Sequence, residues 1–121
     1  MENHFSFEDL KVYQRTINFI DEVYVVTKKY PDSEKFNLVS QFQRAAVSIS
    51  LNIAEGNGAS NKENLKYLGI ASRSLKECVV CITISQRRQY FDETKHRELR
   101  NELAEIGKML SGLIRYLNQK E

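Results

Sequence analysis

A chain of 121 residues, 41% hydrophobic and 28% charged, has the balance of a folded protein and the length of one domain, expected to span 1–121. One proline and five glycines are too few for an all-β chain, and no apolar run approaches the ~20 residues that cross a bilayer. The net charge of +2 does not by itself point to a polyanion, yet residues 60–91 hold six basic side chains against two acidic ones, while the other three segments sum to −1 or zero. The opening Met1-Glu2-Asn3-His4-Phe5 lacks the basic-then-apolar order of a signal peptide, and two close cysteines suit a reducing cytosol. A cytoplasmic protein with no membrane association is expected.

Four long helices are predicted in chain order. The first opens at Ser6 as N-cap, with Asp9 three places on, and stops at Pro31, which cannot donate the next hydrogen bond. Two apolar stripes run along it: Leu10, Tyr13, Ile17, Ile20, Tyr24, Thr27 and, beside them, Val12, Thr16, Phe19, Val23, Val26, Tyr30. So wide a face suits packing on two sides, and part of the second stripe is expected at a subunit contact. The second helix runs from Asp32 or Ser33 to Gly56–Gly58, with Phe36, Leu38, Val39, Phe42, Ala45, Ala46, Ile49 and Ile53 as its apolar set.

The third helix starts at the capping box Ser60-Asn61-Lys62-Glu63, carries Leu65, Leu68, Leu75, Val79 and Ile82, and ends near Tyr90. The fourth is capped by Asp92 and bears the cleanest heptad: Leu99, Leu103, Ile106, Leu110, Leu113, Leu117. Short connections make neighbours antiparallel, so the fold class is all-α, an up-down-up-down four-helix bundle. Across the third and fourth helices Gly69 and Gly112 are expected to face one another in a close backbone approach.

No catalytic constellation assembles from these elements. Cys78-Val79-Val80-Cys81 falls deep inside a helix rather than at an N-terminus, so the pair reads as buried structural thiols. Neither His4 nor His96 completes a zinc set or a triad. Gly56-Asn57-Gly58 lacks the Gly-Lys-Ser/Thr ending of a phosphate loop. No enzyme and no cofactor are expected.

Two patterns of polar residues remain. Lys62, Lys66, Arg73 and Lys76 recur on one face of the third helix opposite its leucine seam, and Arg87 continues the row beside Arg88. Such a stripe can track the phosphates of RNA or DNA; the plain alternative is a solvated helix face. On the second helix lies a row of small and polar residues, Gln41, Arg44, Ser48, Asn52 and Glu55. To within about a turn, Arg44 is expected to face Ser74 and Glu77 across the hairpin, or else an acid of a neighbouring subunit; Arg44, Asn52 and Glu55 are expected to be buried, in a structural polar network of the row with Ser74 and Glu77 that sets register.

Several words in the two central helices carry a resemblance: Gln41, Arg44-Ala45-Ala46-Val47-Ser48-Ile49, Asn52-Ile53-Ala54-Glu55-Gly56 and Leu68-Gly69-Ile70-Ala71 with Ser74-Leu75 and Glu77. With Phe7-Glu8-Asp9-Leu10-Lys11-Val12-Tyr13 and the Tyr30-Pro31 stop, the chain resembles the four-helix-bundle family encoded in intervening sequences of bacterial 23S ribosomal RNA genes, also called the S23 ribosomal protein family. The resemblance implies a homopentamer, so the chain itself is the first expected partner. It also implies kinship with the accessory variability protein of diversity-generating retroelements, a basic pentamer that binds a reverse transcriptase and nucleic acid. An RNA- or DNA-associated accessory protein is one expectation that follows; a protein-interaction scaffold without nucleic-acid contact is the other.

Overall fold

The computed structural model describes residues 3–120; the expectations placed on Met1, Glu2 and Glu121 lie outside the described residues. Four α-helices account for most of them: α1 (Lys11–Thr27), α2 (Leu38–Gly56), α3 (Asn61–Arg87) and α4 (Glu93–Gln119). No β-strand occurs among the described residues. Each helix packs on the next, and α1 also meets α4, so the four enclose one core. Partners run in opposite senses along each pair. Thr27 meets Gln43 and Ser6 meets Asn57, Ser48 meets Ser74, Gln86 meets Glu93 and Asn61 meets the Lys120 carbonyl, and Arg15 meets Glu102 while Glu22 meets Lys95.

Capping explains where the long helices start and stop. Ser60 accepts from the Glu63 N–H at 3.2 Å and Asp92 from the Lys95 N–H at 2.8 Å, each satisfying a donor that the first turn leaves free. α3 ends in a Schellman motif: Gln89 is left-handed (φ 64°), its N–H bonds the Gln86 carbonyl, and the Tyr90 N–H reaches back to Ser85.

The first two helices differ from expectation. Ser6 is no N-cap. Residues Ser6–Asp9 form a separate 3-10 turn, the Phe5 N–H bonds Glu8 at 2.9 Å, and the Ser6 hydroxyl instead donates to Asn57 in the α2–α3 connection. α1 therefore starts at Lys11 and finishes at Thr27, before Pro31. After Pro31 comes a second 3-10 turn, Asp32–Glu34, so α2 begins only at Leu38 and Phe36 is left 89% exposed instead of joining the core.

Buried apolar side chains from all four helices fill the interior, among them Phe19, Phe42, Ile49, Ile82, Leu103 and Ile106. The second stripe of α1 is wholly inside: Val12, Thr16, Phe19, Val23, Val26 and Tyr30 are all buried by the chain's own helices. The subunit contact expected there is thereby ruled out for that stripe. At one end Tyr30 donates to Ser85 at 2.6 Å and Tyr90 to Glu34 at 2.7 Å, with the two rings 4.7 Å apart, clasping the α1–α2 and α3–α4 connections.

Glycine positions separate close approach from open space. A Cβ on Gly56 would lie 2.6 Å from Asn64 Oδ1 and 3.0 Å from Tyr67 Cβ, so the end of α2 nests on the first turns of α3. Gly58, not Gly56, supplies the left-handed turn residue (φ 87°). Gly69 and Gly112 do not face each other, and a Cβ on either meets nothing within 4 Å. The α3–α4 register is nonetheless close to that expected, since Gly107 lies beside Leu75; Gly69 and Gly112 sit on the outward sides. Gly69→Ala and Gly112→Ala should therefore each raise stability, by up to ~1 kcal/mol in urea denaturation, because alanine relieves the helix cost without a clash. A loss on either substitution would contradict the open placement.

The Cys78 and Cys81 thiols are free and buried in the α3 core face, as their sequence position suggested. Burial pushes Cys81 up to about 11 and Cys78 higher still, and pushes the Tyr30 phenol up to about 12. Each group then holds its proton more tightly folded than unfolded. The linked stability is present in full below about pH 9 and is lost as pH rises through the folded values. Thermal melts should show a constant midpoint up to about pH 9 and a steady fall above it, made shallower by Cys81→Ala.

Candidate nucleic-acid interface

α3 presents its basic residues away from the core. Leu68, Ala71, Ser74, Cys78 and Ile82 point inward, and Lys62, Lys66, Arg73, Lys76 and Arg87 lie on the opposite, exposed side, with Arg88 exposed at the helix end. The row spans Lys62 to Lys76 over roughly 21 Å at 1.5 Å per residue. Val80 and Ile84, both exposed, then interrupt it, leaving Arg87 about 16 Å further on. The sequence-predicted stripe is thus four cations in line and a separate pair at the end.

The charge state of this row differs from that of α1 and α4. There, four of the seven cations have a carboxylate neighbour: Arg15 Nε lies 2.7 Å from Glu102, Lys95 lies 3.3 Å from Glu22 and 3.0 Å from Glu98, Arg97 lies 3.8 Å from Glu93 and Lys108 lies 3.6 Å from Glu105. The hydrogen bonds to these carboxylates raise both Arg15 and Lys95. Among the described residues, none of Lys62, Lys66, Arg73, Lys76, Arg87 and Arg88 forms an ion pair. Lys66 alone makes a further contact, its ammonium 5.6 Å from the Tyr67 ring centroid.

The polar row of α2 divides into two parts. Ser74 donates to Ser48 at 2.8 Å, and the Asn52 amide donates to the Ser48 carbonyl at 2.8 Å and to its hydroxyl at 3.1 Å. Of these only the Ser74–Ser48 bond crosses between the helices; the Asn52 bonds stay within α2. The register falls within the turn allowed for, with Ser48 rather than Arg44 meeting Ser74 and the end of α2 seated beside Asn64 and Tyr67. Arg44 and Glu55 are exposed rather than buried, contrary to expectation, and Gln41 is exposed with them. Gln41, Arg44 and Glu77 instead line an open depression of about 550 Å³ between α2 and α3, with Ser48, Val80 and Ile84. An exposed guanidinium avoids the several kcal/mol that burying an unpaired charge costs.

Among the pairings not read from the sequence are those of Arg15 with Glu102, Lys95 with Glu22 and His4 with Asp9. His4 Nε2 lies 2.9 Å from Asp9 Oδ1 and its Nδ1 3.7 Å from Glu8 Oε1, so the hydrogen bond to Asp9, then its charge, raise the imidazole above its usual value. The 3-10 turn brings these groups together, and a helix starting at Ser6 would have concealed it. No helix is long and apolar enough to cross a membrane among the described residues.

These helices have known relatives. The structure matches the crystal structure of a protein of unknown function from the S23 ribosomal protein family of Bacteroides thetaiotaomicron with a TM-score of 0.79. The match covers 86% of this chain and 95% of that one at 24% identity, a likeness of fold. No curated protein matches the chain. The family model described as 23S rRNA-intervening sequence protein matches residues 8–112, from the 3-10 turn before α1 to the last third of α4. The chain belongs to the 23S rRNA-intervening sequence protein family.

Proposed function

We propose that the protein is a non-enzymatic, oligomeric accessory protein of the cytoplasm that holds an RNA or DNA backbone against the outer face of α3. The observation that carries this reading is the set of five exposed α3 cations, with Arg88 at the helix end, that lack carboxylate partners among the described residues, on a chain where four of the seven α1 and α4 cations have one. Binding a polyanion releases counterions from phosphates, and unpaired surface cations supply that gain without first breaking an ion pair. The protomer is an up-down-up-down bundle. Its assembly is the homopentamer that the family resemblance implies, which would multiply the row around a common axis and raise avidity. The two buried free thiols accord with a reducing compartment.

The family's name points to ribosomal RNA as the first probe. Filter binding to a 23S ribosomal RNA fragment across a salt series should give an affinity that falls steeply with salt. Lys62→Ala, Lys66→Ala, Arg73→Ala and Lys76→Ala should each lower the slope by about one and weaken binding across sequences alike. Arg87→Ala should matter less, being set apart by Val80 and Ile84. Salt-independent binding, or none, would refute the reading and favour a protein-interaction scaffold, for which the exposed apolar side chains beside α2 are the supporting feature. A reverse transcriptase is the partner to test in that case.

A further inference from the structure

Gly69 stands in the middle of the α3 basic row. Lys62, Lys66, Gly69, Arg73 and Lys76 follow one another at spacings of four, three, four and three, which places all five on one line of the helix surface. That line faces away from the core, and a Cβ added to Gly69 meets nothing within 4 Å. At 1.5 Å per residue, Lys66 and Arg73 are ~10.5 Å apart along the axis, the widest gap between neighbours in the row. The row therefore has a notch at its centre, walled by a cation at each end and floored by bare backbone.

Within the bundle this glycine is tolerated but not required. Glycine is the least favourable residue of a helix interior apart from proline, and its use there is explained when something must approach the backbone closely. Asn64 and Tyr67 supply that explanation at Gly56; nothing inside the chain supplies it at Gly69. What surrounds the notch is suited to an anion. Lys62, Lys66, Arg73 and Lys76 are exposed and form no ion pair among the described residues. Of the two acids on α3, Glu63 lies off the line, and Glu77 lines the hollow between α2 and α3 instead of pairing with Arg73 one turn before it. The first apolar member of the line is Val80, beyond the four cations.

We infer that a phosphodiester backbone lies along this line and sinks into it at Gly69, with Lys66 and Arg73 closing on the strand from either side. The inference rests on the nucleic-acid reading of the proposed function and adds how the strand is seated. Attraction between charges grows as their separation falls, so a strand lowered between two cations is held more tightly than one resting on their tips. One narrow line of charge matches one strand rather than the two walls of a groove. With a phosphate every ~3.4 Å along a strand, the ~10.5 Å gap takes about three of them. Contacts of this kind fix position without reading bases, so the seat is indifferent to sequence. A partner helix packed on the glycine is the competing occupant. It would be flanked by four cations and would meet no apolar side chain in the line before Val80.

Filling the notch tests the seat. The full chain is titrated in filter binding against a mixed-sequence RNA, single-stranded in one arm and as a duplex in the other. Gly69→Ala should weaken binding about threefold and Gly69→Leu about tenfold or more, with the salt slope unchanged because no cation is lost. Gly112→Leu, at the other open helical glycine, should bind like the native chain. The probe whose binding the Gly69 variants weaken identifies the source of the backbone, a free strand, a duplex or both. Circular dichroism accompanies each variant, and Gly69→Ala, which favours the helix, decides the case if Gly69→Leu unfolds. Salt-dependent native binding that both Gly69 variants leave intact would overturn the seat while the basic row stands. Equal weakening by Gly112→Leu would overturn it too. Native binding that is absent or insensitive to salt would overturn the nucleic-acid reading itself.

Discussion

The close approach of α2 to α3 at Gly56 is the constraint on which the arrangement of the other helices depends. There is no room for a side chain: Asn64 and Tyr67 occupy the space a Cβ would take. With that end fixed, α2 lies along α3 in the most extensive helix pair of the fold, and Ser48 arrives opposite Ser74. Phe42, Ile49 and Ile53 are then directed into the interior beside Phe19 and Val23 of α1. The Ser6–Asn57 hydrogen bond ties the start of the chain to the same turn.

Fixing the hairpin also decides which polar groups see water. Ser48, Asn52 and Ser74 fall where α2 and α3 meet and satisfy one another; no buried side-chain nitrogen or oxygen among the described residues lacks a partner. Arg44 and Glu55 fall outside the seam, where their charges remain hydrated. The α3 cations lie on the side opposite the core. A single helix therefore divides its circumference between packing and charge, and α2 divides its own between packing, a polar seam and an outward ridge.

Sequence pattern was sufficient for α3 and α4 because local and tertiary signals agree there. Ser60 and Asp92 cap where expected, and Leu99, Leu103, Ile106 and Leu110 are buried along the predicted heptad. It failed where a local signal had two physical outcomes. Ser6 and Asp9 have the chemistry of a helix start but make a 3-10 turn, and Phe36 has the period of the α2 seam but precedes the helix. Glycine in a helix signals either close approach or mere tolerance. Gly56 proved to be the first kind, Gly69 and Gly112 the second. The basic row was legible as a pattern, since exposure follows from helical period; its lack of ion pairs was not, because that depends on which carboxylates the fold brings near. Arg44 and Ser48 share one line of α2, yet only Ser48 meets α3, and helical period alone does not set where along that line the neighbouring helix makes contact.

The stability of Gly56→Ala tests the central constraint most directly. At an open helical position alanine would gain up to ~1 kcal/mol over glycine. If the α2–α3 approach is as close as Asn64 and Tyr67 make it, the added methyl should reverse that sign and cost about 1–3 kcal/mol in urea denaturation. An unchanged or higher midpoint would mean that the hairpin has slack at Gly56, and would contradict the account.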